Sequence, residues 1–144
     1  MQTRLYFAYG SNMNKVQMRA RCPGSKWLGS AVLPGYRWII AADGFANAVP
    51  APEDTVEGVL FEITQADEAA LDIYEEVDAG CYAKHVVTLR HAGTTVEALV
   101  YLNPLTEPGT AAPAYLEPLR TAMFVDAGLS EAYLSRYILP FIHP

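Results

Sequence analysis

The sequence is poor in cysteine and has no long apolar run. Only two of its 144 residues are cysteines, Cys22 and Cys81, which is too few for the disulfide framework of a small secreted domain. No apolar stretch approaches the length that spans a bilayer. The first residues lead into a short apolar stretch without the h-region and cleavage site of a signal peptide. We therefore expect a cytoplasmic protein without a membrane partner.

Basic residues are also scarce. Ten Lys and Arg stand against sixteen Asp and Glu, for a formal charge of −6 at pH 7. Because the basic residues are scattered, the chain lacks the clustered face that a phosphate backbone requires, and we expect no nucleic-acid partner. With 51% hydrophobic and 18% charged residues, the composition is typical of a globular protein. We predict a single domain over residues 1–144.

Several common catalytic signatures are missing from the sequence. It contains no Gly-x-x-x-x-Gly-Lys-Ser/Thr run for phosphates and no Gly-x-Ser-x-Gly context for a nucleophilic serine. The three histidines and two cysteines match no zinc spacing, so no metal site is predicted.

Strand patterns dominate the first half of the chain. Residues 5–9 form an aromatic-rich run that ends at Gly10, which predicts a strand entering a tight loop. Asn12 is a candidate cap for a helix that continues to about residue 21. Further along, we predict strands over residues 27–33 and 36–42, joined by a turn at Pro34-Gly35. A loop over residues 43–55 follows, and then a strand over residues 56–63 in which Gly58 marks a bulge or a close backbone approach.

The second half of the chain combines helix patterns with one strand pair. Thr64 and Asp67 resemble a capping box, with a helix over residues 65–72. Two β-branched runs at residues 82–90 and 95–102 flank a plausible hairpin turn. The remainder is helical in character, from Pro113 to a stop at Gly128, and from Ser130 and Glu131 towards Ile138. Hairpin-length connections favour an antiparallel or mixed sheet and hence an α+β fold.

Two features of the residues could carry chemistry. The loop Tyr9-Gly10-Ser11-Asn12 could present backbone amides to a carboxylate or an oxyanion, although an ordinary capped turn explains the same pattern. Asp72, Glu75 and Glu76 form a carboxylate group. On a helical wheel, Glu75 lies about 160° from the centre of the apolar stripe. That stripe is made by Ala66, Ala70, Ile73, Tyr74 and Val77. If the helix continues, Glu75 is a solvated charge; if it ends near Asp72, the phase of the wheel no longer decides. Periodicity therefore does not single out a catalytic glutamate.

Two of the nine tyrosines stand at the start of predicted elements. Tyr82 opens a strand and Tyr115 lies in the first turn of the C-terminal helix. Each could hydrogen-bond a polar substrate through its hydroxyl while its ring lines a wall. An ordinary core or rim position is the alternative for either residue.

Taken together, these segments resemble the γ-glutamylcyclotransferase superfamily, which includes the AIG2-like proteins. The sequence Phe-Ala-Tyr-Gly-Ser-Asn-Met at residues 7–13 is similar to its N-terminal signature. Further similar segments follow in the family's order, at residues 56–61, 71–75, 80–82, 113–115, 128–129 and 133. The resemblance implies an α+β fold around a small, strongly bent mixed or antiparallel sheet or barrel, with a few flanking helices.

The resemblance also implies roles for particular residues. Glu75 corresponds to the general acid/base. The backbone-rich loop would grip the γ-glutamyl group, and three tyrosines would supply the walls and hydroxyl contacts; these substrate-binding residues are Gly10, Ser11, Asn12 and Met13, with Tyr9, Tyr82 and Tyr115. Family members often carry Gly directly after the catalytic glutamate, whereas this chain has Glu76. If both carboxyls were partly buried, their repulsion would raise one pKa.

The implied reaction is cyclisation of a γ-glutamyl amide to 5-oxoproline with release of a free amine, without metal or cofactor. The substrate is then a small molecule, and the protein a monomer or homodimer. The leaving amine stays open: an amino acid, a peptide as in glutathione, the ε-amine of lysine, or a biosynthetic acyl chain. The alternative is a non-catalytic binding protein that keeps the fold, an alternative prompted by Glu76 because fold does not fix activity.

Overall fold

A computed structural model describes residues 2–144 of the chain, and its centre is a closed five-stranded barrel. The strand order is β1-β3-β2-β4-β5. β1 closes the barrel by pairing parallel with β5 at Tyr6 and Leu99, and every other pair is antiparallel. The strands are β1 Thr3–Ala8, β2 Lys26–Ile40, β3 Ala46–Thr64, β4 Ala83–His91 and β5 Thr94–Leu102. The predicted α+β class with a small mixed barrel is confirmed.

The long β2–β3 pair differs from the prediction. We expected a turn at Pro34-Gly35 and a loop over residues 43–55, but β2 runs through the first and most of the second belongs to β3. Pro34 pairs with Thr55 and Tyr36 with Pro50, so the register shifts between them. Proline is tolerated in a strand at such irregularities, where no ladder amide is needed. The Pro and Gly residues therefore bend two long strands instead of ending three short ones.

Gly58 marks a close approach between β3 and β1. A Cβ placed there would lie 2.2 Å from the carbonyl oxygen of Ala8, far inside van der Waals contact. Only glycine allows the two backbones to meet at this distance. Gly58 thereby lets the end of β1 lie directly against β3. Of the two alternatives predicted for Gly58, a bulge or a close backbone approach, the structure shows the close approach.

Four helices flank the barrel: α1 Lys15–Arg21, α2 Gln65–Tyr74, α3 Pro113–Thr121 and α4 Glu131–Tyr133. α3 and α4 continue as π-helical turns over Ala122–Asp126 and Leu134–Ile138, and a 3₁₀ turn, Ser11–Met13, precedes α1. The predicted β4–β5 hairpin and C-terminal helices are confirmed. The cap of α1 is Asn14, whose side chain accepts from the Gln17 amide, and not Asn12 as predicted.

The helix α2 begins as predicted but buries another face. Thr64 and Asp67 form the capping box. The buried side chains are Asp67 and Leu71, whereas Ile73, assigned to the apolar stripe, is 79% exposed. Since positions four apart share a helix face, the next residue on the buried line is Glu75. The buried face of α2 therefore differs from the apolar stripe of the wheel, because a hydrogen-bonded Asp67 occupies an inward position and the helix continues to Tyr74.

The C-terminal helices are anchored by a buried tryptophan. Trp38 of β2 packs edge-on against Phe141, and its indole N–H donates to the Tyr9 carbonyl at 2.9 Å. One side chain thus links the C-terminal segment to the loop after β1. Among residues 2–144, no helix is long and apolar enough to cross a membrane.

Candidate active site

A cavity of about 250 Å³ opens where β1, α2 and α3 meet. Seven of its fifteen lining residues are aromatic. The lining residues are Tyr6, Tyr9, Gly10, Ser11, Asn12, Asp43, Phe45, Ala46, Tyr74, Glu75, Glu76, Cys81, Tyr82, Tyr101 and Tyr115. Elements far apart in sequence therefore contribute to one concave site, which is the usual form of a small-molecule site.

Glu75 lies at the C-terminal cap of α2, where the buried line of the helix reaches the cavity. Its pKa is raised from 4.5 to about 7 because burial disfavours the carboxylate. The positive charge of Arg21 and a hydrogen bond from Asn12 oppose that rise. A carboxyl with a pKa near neutrality can both accept and return a proton at physiological pH.

Asn12 is the polar neighbour of Glu75. Its Nδ2 donates to Glu75 Oε1 at 3.3 Å and to the Tyr6 hydroxyl at 2.9 Å. Its Oδ1 accepts from Arg21 Nη1 at 2.6 Å. The residue is 4% exposed, so these contacts are made away from bulk solvent. Asn12 is thus an amide-group partner for the carboxylate of Glu75 as well as a loop residue.

The loop after β1 approaches the wall closely at Gly10. A Cβ on Gly10 would meet Ala46 Cβ at 3.0 Å and the Tyr115 hydroxyl at 3.1 Å. Its φ is −132°, so glycine is needed for space and not for a left-handed backbone. The amides of Gly10, Ser11 and Asn12 have no protein acceptor within residues 2–144. They are available to an anionic group of a ligand.

The three tyrosines predicted for the walls are all at the cavity. Tyr9 donates its hydroxyl to the Tyr101 carbonyl at 2.6 Å, and Tyr82 donates to the Ala46 carbonyl at 2.6 Å. The Tyr115 oxygen instead accepts from the Ala46 amide at 3.3 Å. Burial raises the pKa of all three hydroxyls, which stay neutral hydrogen-bonding groups.

Met13, predicted to bind substrate, and Glu76, which follows Glu75, lie in different environments. Met13 is fully buried in the core and does not line the cavity. Glu76 is exposed and adopts a φ of +51°, a left-handed backbone conformation that favours glycine. Glycine, which the resemblance leads one to expect at this position, is the residue that this conformation favours.

Sequence reasoning missed seven of the lining residues: Tyr6, Asp43, Phe45, Ala46, Tyr74, Cys81 and Tyr101. Tyr6 stands within the run we assigned to β1, and Tyr74 directly precedes Glu75, so both could have been inferred from neighbours. Asp43 and Phe45 fell in the stretch predicted as loop. No spacing in the sequence relates them to Glu75, because barrel closure brings them together.

Nowhere within residues 2–144 do three or more His, Cys, Asp or Glu side chains come together as a metal site.

Solved structures share this architecture. A γ-glutamyl cyclotransferase is 24% identical over 99% of this chain and 89% of its own, with a TM-score of 0.85. An uncharacterized human protein is 24% identical over 100% of this chain and 90% of its own, with a TM-score of 0.85. YkqA from Bacillus subtilis is 26% identical over 94% of this chain and 52% of its own, with a TM-score of 0.79. No curated protein matches significantly.

The family comparison covers most of the chain. Residues 6–117 match the model of the family described as gamma-glutamyl cyclotransferase, AIG2-like. That range begins in β1 and ends in α3, so it includes the loop after β1, the end of α2 and Tyr115. The chain belongs to the AIG2-like γ-glutamyl cyclotransferase family.

Proposed function

We propose that the cavity cyclises a γ-glutamyl amide to 5-oxoproline and a free amine, with Glu75 as general acid/base. The observation that carries this proposal is the partly buried Glu75 carboxyl, whose pKa is raised to about 7, in a cavity that the loop after β1 also lines. Proton transfer and anion binding are thus available side by side. The further parts of the proposal are that residues 1–144 act as one catalytic domain, in the cytoplasm, as a monomer or homodimer.

Substrate positioning is assigned to the loop after β1. The amides of Gly10, Ser11 and Asn12 are suited to the α-carboxylate of a γ-glutamyl group. Holding that end would fold the substrate so that its α-amine meets its own γ-carbonyl carbon. Well-oriented intramolecular reactions gain about 7–11 kcal/mol from such positioning, so cavity shape is the largest contribution we invoke.

The proton path begins and ends on Glu75. Its carboxylate removes a proton from the α-ammonium, and the freed amine attacks the γ-carbonyl carbon to form the ring C–N bond. The protonated carboxyl returns this proton to the leaving nitrogen as the original C–N bond breaks. The regenerated carboxylate then takes the second proton from the ring nitrogen, which gives the neutral lactam, and passes it to the released amine, which leaves as an ammonium ion. The reaction consumes no water and needs no redox partner, and such transfer contributes about 10²–10⁴-fold.

Stabilisation of the oxyanion is assigned to Tyr115. Because its oxygen accepts from the Ala46 amide, its own proton is free to be donated to a ligand. A neutral donor in a water-poor cavity stabilises a developing negative charge strongly. The rise in its pKa keeps the hydroxyl protonated throughout.

The cavity is acidic. Asp43, Glu75 and Glu76 line it, and no Lys, Arg or His does so within the part of the chain that the structure describes. A leaving group with its own carboxylate would find no cationic partner there. We therefore propose γ-glutamyl amines without a nearby carboxylate as better substrates than γ-glutamyl amino acids or glutathione.

A donor panel tests the proposal. The protein is incubated with γ-glutamyl amines, γ-glutamyl amino acids, ε-(γ-glutamyl)-lysine and glutathione, and products are followed by mass spectrometry. We expect 5-oxoproline from wild type and from Glu76→Gln, which alters the adjacent exposed carboxyl, but a severe loss in Glu75→Gln. Free glutamate in place of 5-oxoproline would indicate hydrolysis, and no product from any donor would favour the non-catalytic binding protein.

A further inference from the structure

Arg21, at the end of α1, joins two parts of the site that are far apart in sequence. Its Nη1 donates to Asn12 Oδ1 at 2.6 Å, and its guanidinium carbon lies 3.3 Å from the centroid of the Tyr74 ring. Asn12 belongs to the loop after β1, and Tyr74 is the last residue of α2, directly before Glu75. One planar group therefore holds both the amide partner of Glu75 and the helical turn that carries Glu75.

The hydrogen bond from Arg21 also fixes which way the Asn12 amide faces. An asparagine side chain can present either its oxygen or its NH₂ to a neighbour. Here the oxygen is occupied by a guanidinium, which can only donate, so the NH₂ must face Glu75 and the Tyr6 hydroxyl. Asn12 is consequently held as a donor to the carboxylate form of Glu75.

The charge of Arg21 reaches Glu75 without a direct ion pair. Within residues 2–144, no salt bridge joins the two side chains. Several titratable groups interact with Glu75 through their charges and so shift its pKa or have their own pKa shifted by it. They come from separate elements, and Arg21 is the cation among them. These groups are Arg21 of α1, Tyr6 of β1, Tyr9 after β1, Tyr82 before β4 and Tyr115 of α3.

We propose that Arg21 is a positioning residue for Glu75, which it serves by orienting the Asn12 amide, by stacking on Tyr74, and by placing a positive charge near the carboxyl. This role rests on the proposed function but has consequences that can be measured without a substrate. Arginine is suited to it because a planar guanidinium stacks on an aromatic ring and donates within its own plane at the same time, whereas a lysine ammonium has no plane.

The test compares Arg21→Gln, Arg21→Lys and a control, Arg19→Gln, in which an exposed arginine of the same helix is changed. The first measurement is the pKa of Glu75 from a carboxyl ¹³C NMR titration of the folded protein. Losing the positive charge in Arg21→Gln should raise that pKa by about one unit. Arg21→Lys keeps the charge and should stay near wild type, as should Arg19→Gln.

The second measurement is the rate of 5-oxoproline formation against pH. Because the carboxylate is the reactive form, a pKa raised by one unit lowers kcat/KM at pH 6 by about tenfold. At pH 9 protonation no longer limits any variant, and the remaining loss reports geometry. We expect both Arg21 variants to stay below wild type there. Arg19→Gln should match wild type throughout.

The two measurements separate this inference from the proposed function. An unchanged Glu75 pKa in Arg21→Gln, or wild-type rates for both Arg21 variants at pH 9, would overturn the positioning role. If the pKa shifts as expected but wild type forms no 5-oxoproline, the effect of Arg21 on Glu75 stands and the proposed reaction fails. Retention of the wild-type melting temperature by Arg21→Lys excludes unfolding as the cause of a lower rate.

Discussion

Replacing Glu76 by glycine should stabilise the protein. Glu76 has a φ of +51°, and an L-residue in that left-handed region loses about 1–2 kcal/mol relative to a right-handed conformation. Glycine removes this strain but adds freedom to the unfolded chain, which offsets about 0.4–1 kcal/mol. A net gain of about 0.5–1 kcal/mol remains, and for a domain of this size it corresponds to a rise in Tm of about 2–4 °C.

The matched control is Glu76→Ala, which removes the same carboxylate but keeps a Cβ and therefore the strain. Thermal unfolding at neutral pH, followed by circular dichroism, should give a higher Tm for Glu76→Gly than for Glu76→Ala. Asp78→Gly is a second control, because Asp78 lies in the same turn without a positive φ and should gain nothing. Equal Tm values for the glycine and alanine variants would refute the strain argument. Both Glu76 variants should keep forming 5-oxoproline.

Three further predictions concern the cavity. First, kcat/KM should rise with pH through about 7, because burial raises the pKa of Glu75 to about 7 and its carboxylate is the base. A kcat/KM profile that is flat between pH 5 and 9 would contradict this assignment. Second, Gly10→Ala should lower kcat at least tenfold, because its Cβ would press on the Tyr115 hydroxyl at 3.1 Å. The control is Gly35→Ala, which strains a left-handed φ of +84° outside the cavity lining and should lower Tm but leave kcat unchanged in steady-state kinetics. Third, Asp43→Asn should lower KM for γ-glutamyl amino acids more than for γ-glutamyl amines, because it removes a negative charge from the lining; equal effects on both donor classes would remove Asp43 from specificity.

The elements that the sequence predicted well are those set by local rules. The capping box of Thr64 and Asp67 and the proline start of α3 each depend on neighbouring residues only. The β4–β5 hairpin is similar, because its strands pair across a short turn. Capping and short hairpins can be predicted from sequence because every interaction they need lies within a few positions.

The long strands and the phase of α2 could not be predicted in this way. Pro34 and Pro50 are turn-forming in isolation, and only the pairing of β2 with β3 turns them into points of bending. Asp67 occupies an inward position of α2 because it accepts from the amides of Gly24 and Thr64. A hydrophobicity wheel counts Asp67 as an outward residue. It therefore placed the apolar stripe on another face of α2 and Glu75 far from that stripe.

The candidate site was anticipated through its loop, its glutamate and three tyrosines. The resemblance named Gly10, Glu75 and Tyr115 as parts of one site, and the structure brings all three to one cavity. It did not indicate Arg21 or Asp43, whose relation to Glu75 arises from the packing of α1 and from barrel closure. Contacts between residues so far apart in sequence produce no periodic pattern from which they could be predicted.

The most direct test of the account is the initial rate of 5-oxoproline formation by Glu75→Gln beside Glu76→Gln, on the best donor of the panel. Glutamine keeps the size of the side chain but cannot exchange the proton. We predict that Glu75→Gln loses about 10²–10⁴-fold in kcat, while Glu76→Gln stays within a few-fold of wild type. A Glu75→Gln variant within a few-fold of wild type, or a larger loss in Glu76→Gln, would contradict the assignment of Glu75 as the residue that moves the proton.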